Sequence, residues 1–185
     1  FNDELPVVLV VGGSLGTRTL NEMMKAWVGD LDGVAPVQVI WQTGKYYERE
    51  MQEFLRSHPT KNIWQGAFIE RMDYAYAAAD VVLSRSGACT VSELCLVAKP
   101  TIFVPSPNVA EDHQTKNAMA LVEQGAAEIV RDSEAVERGM HLAVELSRNG
   151  RRLEELSSNI AKLAISDSAD RVVRVIDEVL TEVKR

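Results

Sequence analysis

The chain has 185 residues, 46% of them hydrophobic and 25% charged, which is ordinary globular composition and enough for one well-buried core, so a single domain over residues 1–185 is expected. Its formal net charge of −7, from 20 Lys and Arg against 27 Asp and Glu, opposes nucleic-acid binding, because phosphate neutralisation needs concentrated cations. No apolar run approaches the roughly 20 residues that span a bilayer, and no charged-then-apolar signal segment opens the chain, so a soluble protein is expected. Cys89 and Cys95 share one segment without neighbouring His, which suggests neither a zinc site nor a disulfide framework and fits a reducing cytosol. The opening Phe1-Asn2-Asp3-Glu4, followed almost at once by an apolar run, suggests a piece of a longer polypeptide.

In chain order, short apolar runs alternate with helical periodicity. The pattern predicts strands over 7–11, 37–42, 63–65, 81–84, 101–104 and 127–130, with helices over 19–28, 46–56, 72–78, 90–97 and 114–124. Beyond residue 133, Gly150 is expected to divide one helix over 134–149 from another over 151–164. A final helix over 169–184 carries Val172, Val173, Ile176, Val179 and Leu180 at helical spacing, a stripe expected to pack against the sheet or a neighbouring domain rather than a membrane. This alternation predicts an α/β fold, a Rossmann-like parallel sheet with helices on both faces and right-handed crossovers. Ligands of such sheets lie beyond the carboxyl ends of the strands, where every loop of interest falls.

The first such loop, Gly12-Gly13-Ser14-Leu15-Gly16-Thr17, follows the β-branched run Val7-Val8-Leu9-Val10-Val11 and opens a helix. Glycine lets the backbone approach an anion, and the first amides of the helix are unpartnered at the positive end of its dipole. Glycines of this kind also serve turns alone. A second candidate is Ser84-Arg85-Ser86-Gly87-Ala88-Cys89-Thr90, where Ser86 and Gly87 make a turn and the amides of Ala88, Cys89 and Thr90 point above a helix. A pyrophosphate fits between the two turns. Thr90-Val91-Ser92-Glu93 has the spacing of a capping box, in which Glu93 returns to the backbone; alternatively Glu93 accepts two bonds from a ribose diol. In the polar segment 104–118, Asp112, His113, Gln114 and Asn117 suit a polyhydroxyl ligand, or else Asp112 caps a helix and His113 is merely exposed. Phe68-Ile69 either faces a planar base or, the reading favoured from sequence, buries Phe68 in the core.

Taken together with Gln42-Thr43-Gly44-Lys45, Phe68-Ile69-Glu70-Arg71-Met72 and the run from Ala79 to Glu93, these segments closely resemble the MurG family, in order and with matching spacing over about residues 7–130. That family transfers N-acetylglucosamine from UDP-N-acetylglucosamine to lipid I, making lipid II for bacterial peptidoglycan. The resemblance implies the carboxyl-terminal, donor-binding domain of a two-domain GT-B enzyme. It assigns the diphosphate to Ser14 and the amides of Ala88, Cys89 and Thr90, within turns formed by Gly13, Gly16, Ser86 and Gly87. It assigns uracil to the Ile69 backbone, the ribose hydroxyls to Glu93, and the sugar hydroxyls to Gln114 and its neighbours His113 and Asn117. His113 departs from a Gln-Gln pair found in some members. UDP-N-acetylglucosamine is then the substrate, with no tightly bound cofactor and no Asp-x-Asp pair placed to hold a metal. The implied partners are an amino-terminal acceptor domain and, through it, lipid I at the cytoplasmic face of the bacterial inner membrane. The catalytic base is expected outside this chain, which should bind donor without completing transfer.

Two competing functions remain open at this level. One is a non-catalytic nucleotide-sugar-binding subunit that works with a separate membrane partner. The other is a UDP-N-acetylglucosamine 2-epimerase, which shares the architecture but is expected to carry catalytic carboxylates in both halves.

Overall fold

Every position of β1 (Val7–Val11) is apolar because both faces of the strand are covered: Val8 and Val10 enter one core, and Leu9 enters the other. The same alternation sends Val39 and Trp41 of β2 (Val34–Gln42) to the first core and Ile40 to the second. Four more strands complete the sheet: β3 (Lys61–Gly66), β4 (Val81–Ser84), β5 (Thr101–Phe103) and β6 (Glu128–Ile129). All pairings are parallel, in the order β3-β2-β1-β4-β5-β6. The computed structural model describes residues 1–2 and 4–183; Asp3 of the opening segment and Lys184, the expected end of the last helix, lie outside the described residues.

Helices cover both faces. The first core lies under α1 (Arg18–Gly29), α2 (Glu48–Ser57) and α6 (Ala135–Ser147), with Met23, Met24, Trp27, Met51 and Met140 among its buried side chains. The second lies under α3 (Met72–Ala78), α4 (Ala88–Val97) and α5 (His113–Val122), around Leu9, Val82, Leu94, Phe103 and Leu121. The helix α7 (Gly150–Ala161) reaches both, through Leu156 and Ile160. Its boundary corrects the expectation that Gly150 divides the helices: Asn149 is the cap, its side chain accepting the Arg152 amide at 3.1 Å, and Gly150 is already helical.

For α8 (Ser168–Val183), one of the two expected packings, against the sheet, does not occur. Its apolar residues Val172, Val173, Val175, Ile176, Val179 and Leu180 are all more than half exposed, so the stripe does not pack on the sheet. The reason is occupancy, since the other helices already cover both faces. No helix among the described residues is long and apolar enough to cross a membrane.

The strand order places the site. Chain direction across the sheet reverses at β1, whose neighbours are β2 on one side and β4 on the other. The loops leaving β1 and β4 therefore diverge to opposite faces and leave a crevice between them, the usual ligand position in open α/β sheets.

Candidate functional site at the carboxyl ends of the strands

A cleft of about 470 Å³ occupies that crevice. Gly12, Gly13, Gly16 and Thr17 line one side, Ser84, Arg85, Gly87 and Thr90 the other, and Ser106, Asn108, Gln114 and Asp132 close it. Both glycine-containing turns predicted to meet an anion thus open into one space.

The first turn is a backbone construction. Gly16 donates its amide to the Gly13 carbonyl at 2.9 Å, and the Thr17 hydroxyl donates to the Gly12 carbonyl at 2.8 Å. Gly16 and Gly44 both have φ +81° and face each other so closely that a Cβ on Gly16 would collide with the Thr43 carbonyl oxygen. That carbonyl is fixed from below: Asn21 of α1, 2% exposed, donates to it at 3.0 Å and accepts the indole N–H of buried Trp41 at 3.0 Å. This network binds α1, the end of β2 and the glycine turn together.

The second turn is held by side-chain hydrogen bonds to distant segments. The Ser86 hydroxyl, fully buried, donates to the Gln114 carbonyl at 2.7 Å, and the Asn117 amide donates to the Ser86 carbonyl at 3.0 Å. Arg85 donates through Nη1 to the Val104 carbonyl at 2.8 Å and to Asp132 Oδ1 at 2.5 Å. Gly87 is the N-cap of α4, and its carbonyl accepts the Val91 amide. The amides of residues 88–90 precede that first helical bond and remain free for a ligand, with no acidic side chain in the first turn to compete.

This cap position overturns the capping-box reading of Thr90 and Glu93. Thr90 is the third residue inside the helix, so Glu93 has no N-cap amide to return to. Its carboxylate instead accepts the Tyr76 hydroxyl at 3.2 Å. Burial, and then the negative Glu93, hold the Tyr76 phenol far above its ordinary range, so the phenol stays a donor and orients the carboxylate. Phe68 is a second correction: it is 59% exposed, because the loop after β3 turns it outward while Ile69, 8% exposed, enters the core. Asp112 does sit at the N-cap of α5, but in left-handed backbone, and its carboxylate takes the Thr115 hydroxyl at 2.6 Å rather than a backbone amide.

Of the expected site residues, Gly13, Gly16, Gly87, Thr90 and Gln114 line the cleft itself. Ser14, Ala88, Cys89, Glu93 and His113 are exposed outside its lining, while Ser86 and Asn117 spend their side chains on the scaffold. Gln114 accepts the Ser106 amide through Oε1 at 2.9 Å, which orients its amide group at the cleft. His113 Nδ1 lies 2.8 Å from the Ala110 carbonyl, which can only accept, so that nitrogen carries the proton. Ile69 lines a separate apolar groove between α3 and the β2 and β3 edge, with Ile40, Trp64 and Tyr74. Thr19 and Asp132 line the cleft without having been singled out from sequence, and Arg85, inside the second candidate turn, was given no role of its own; their pairings join positions 47 and 113 residues apart, for which local spacing carries no signal. Among the described residues no group of three His, Cys, Asp or Glu side chains is placed to hold a metal ion.

Residues 7–172 match the model of the glycosyltransferase family 28 C-terminal domain. A curated relative from Porphyromonas gingivalis, named UDP-N-acetylglucosamine–N-acetylmuramyl-(pentapeptide) pyrophosphoryl-undecaprenol N-acetylglucosamine transferase, is 50% identical over 182 residues, covering 98% of this chain and 48% of the relative. The chain spans about half the length of the curated relatives it matches. The crystal structure of MurG from Acinetobacter baumannii superposes with a TM-score of 0.80 at 31% identity, over 96% of this chain and 51% of that one. A putative UDP-N-acetylglucosamine 2-epimerase from Listeria monocytogenes gives a TM-score of 0.70 at 12% identity, covering 98% and 46%, a likeness of fold alone.

Proposed function

The chain belongs to the glycosyltransferase family 28 C-terminal domain family, and on that premise we propose that it is the donor-binding half of an inverting N-acetylglucosaminyltransferase that converts lipid I to lipid II. The observation that carries the reading is the convergence of two glycine turns and two helix N-termini on one cleft at the strand-order reversal. UDP-N-acetylglucosamine lies across it. The diphosphate meets the amides of residues 88–90 and the backbone around Gly13 and Ser14, where no side chain blocks approach. The Ile69 backbone reads uracil, Glu93 takes the ribose hydroxyls, and Gln114 with His113 meets those of the sugar.

In direct displacement at the anomeric carbon, the glycosidic bond breaks toward UDP and negative charge builds on the diphosphate. Oriented amides at the start of α4 meet that charge without having to reorganise. The acceptor hydroxyl and the base that takes its proton belong to the half of the protein outside this chain. Without it the reacting groups are not oriented, an effect worth several kcal/mol of barrier and on the order of 7 to 11 kcal/mol in well-aligned systems. The exposed apolar stripe of α8 is assigned to contact with that half, through which the whole enzyme reaches lipid I at the cytoplasmic face of the inner membrane.

Calorimetric titration tests the assignment. UDP and UDP-N-acetylglucosamine are expected to bind, and ADP and GDP to bind much more weakly, since fixed backbone groups would read the base. Equal affinity for UDP and ADP removes the uracil assignment.

A further inference from the structure

Asp132 is out of place in a cleft for a diphosphate, being the one acidic residue among those lining it. Both its oxygens are engaged. Oδ1 takes Nη1 of Arg85, and Oδ2 takes the Thr19 hydroxyl of α1 at 3.2 Å. The two charged side chains are only 15% and 23% exposed. Arg85 is held at one edge of its guanidinium, by Asp132 and the Val104 carbonyl together, while its Nε and Nη2 have no hydrogen-bond partner among the described residues. The guanidinium is planar with donors in fixed directions, so restraining one edge determines where the other points.

Resting on the reading that the diphosphate lies between the two turns, we propose that Asp132 is a positioning residue: it holds Arg85 by one edge so that the free edge donates to the diphosphate, and Thr19 fixes Asp132 in turn. The arrangement ties the β4 turn to the start of α1, the two elements whose separation sets the width of the cleft. Arg85 balances the carboxylate's charge locally, so Asp132 does not repel the ligand. Stability alone is a weak reason for the pair, because the desolvation of two largely buried charges offsets most of their attraction. Its consequence lies in geometry. As UDP departs, the donors of Arg85 face the growing charge directly.

The test measures UDP and uridine affinity on the same variants by competition titration. Asp132→Ala is expected to weaken UDP binding on the order of tenfold, the scale of one charge-assisted hydrogen bond, while leaving uridine binding unchanged. Arg85→Ala is expected to lose at least as much, since it also leaves the Asp132 charge uncompensated, and the double variant to bind UDP no worse than Arg85→Ala alone, because Asp132 aids binding only through Arg85. Asp132→Asn, which keeps an acceptor for Arg85, recovers part of the loss. Thr19→Val, which removes only the hydroxyl, costs about twofold. Unchanged UDP affinity in both Asp132 variants, equal loss of UDP and uridine, or fully additive losses in the double variant would overturn the proposal. Wild-type chain that binds UDP no better than uridine would overturn the diphosphate reading itself, a result separable from any behaviour of the variants.

Discussion

The two turns that form the cleft reach similar ends by different means. The turn after β1 is shaped by its own backbone, with Gly13 and Gly16 at positive φ and Gly16 in direct contact with Gly44. The turn after β4 has no positive-φ residue and is clamped by its own Arg85 and Ser86 side chains on the Val104 and Gln114 carbonyls, and by the side chains of Asn117 and Asp132. A backbone turn presents amides and tolerates no added Cβ. A clamped turn depends instead on groups far along the chain.

The contrast is broken most severely at Gly16. Gly16→Ala places a Cβ against the Thr43 carbonyl in left-handed backbone, and we expect a stability loss of roughly 2 to 5 kcal/mol, from about 1 to 2 for the conformation and about 1 to 3 for the overlap. Chemical denaturation reads it; a loss below about 1 kcal/mol would mean that the first turn yields as readily as the second.

Glu93→Ala comes next and separates ligand contact from scaffold. With the capping box excluded, UDP affinity should fall by about 1.5 to 3 kcal/mol for a charged hydrogen-bonding group while folding stability changes little. Phenolate absorbance on the same variant adds a readout: Tyr76 is the phenol held far above the ordinary range, and removing the Glu93 charge should let it ionise at lower pH. Because its folded pKa lies above the unfolded value, the corresponding stability is full below pH ~10 and declines as pH rises beyond it. An unmoved Tyr76 titration would mean that the two side chains do not meet.

Asn117→Ala is the smallest of the three. It strips the Ser86 carbonyl of its side-chain donor and should cost about 1 kcal/mol of stability, with a modest parallel loss of UDP affinity as the clamped turn loosens. A larger effect here than at Gly16 would reverse the comparison.

The same contrast explains what could be read from the sequence. Six strands, the parallel order of α/β alternation and the first turn were legible because each rests on local pattern: β-branched runs, helical spacing, glycines at a strand end. The second turn was legible only as a motif. That Ser86 and Asn117 serve each other, that Arg85 leans on Asp132, and that Asn21 bridges Trp41 to Thr43 are facts of tertiary contact between positions 20 to 47 residues apart. Thr90 to Glu93 misled for a related reason, since capping-box spacing says nothing of where the helix begins, and here Gly87 starts it three residues earlier. The α8 stripe shows the limit of periodicity, which marks an apolar face without naming its partner.

In the proposed binding mode both turns grip one diphosphate. Backbone amide chemical shifts, followed by heteronuclear NMR during titration with UDP and separately with uridine, test it most directly. UDP is expected to move the amides of Gly13, Ser14, Ala88, Cys89 and Thr90 together along one binding curve, and uridine to move those around Ile69 while leaving the two turns nearly still. Shifts confined to the apolar groove beside Trp64 and Tyr74, with both turns silent at saturating UDP, would contradict it.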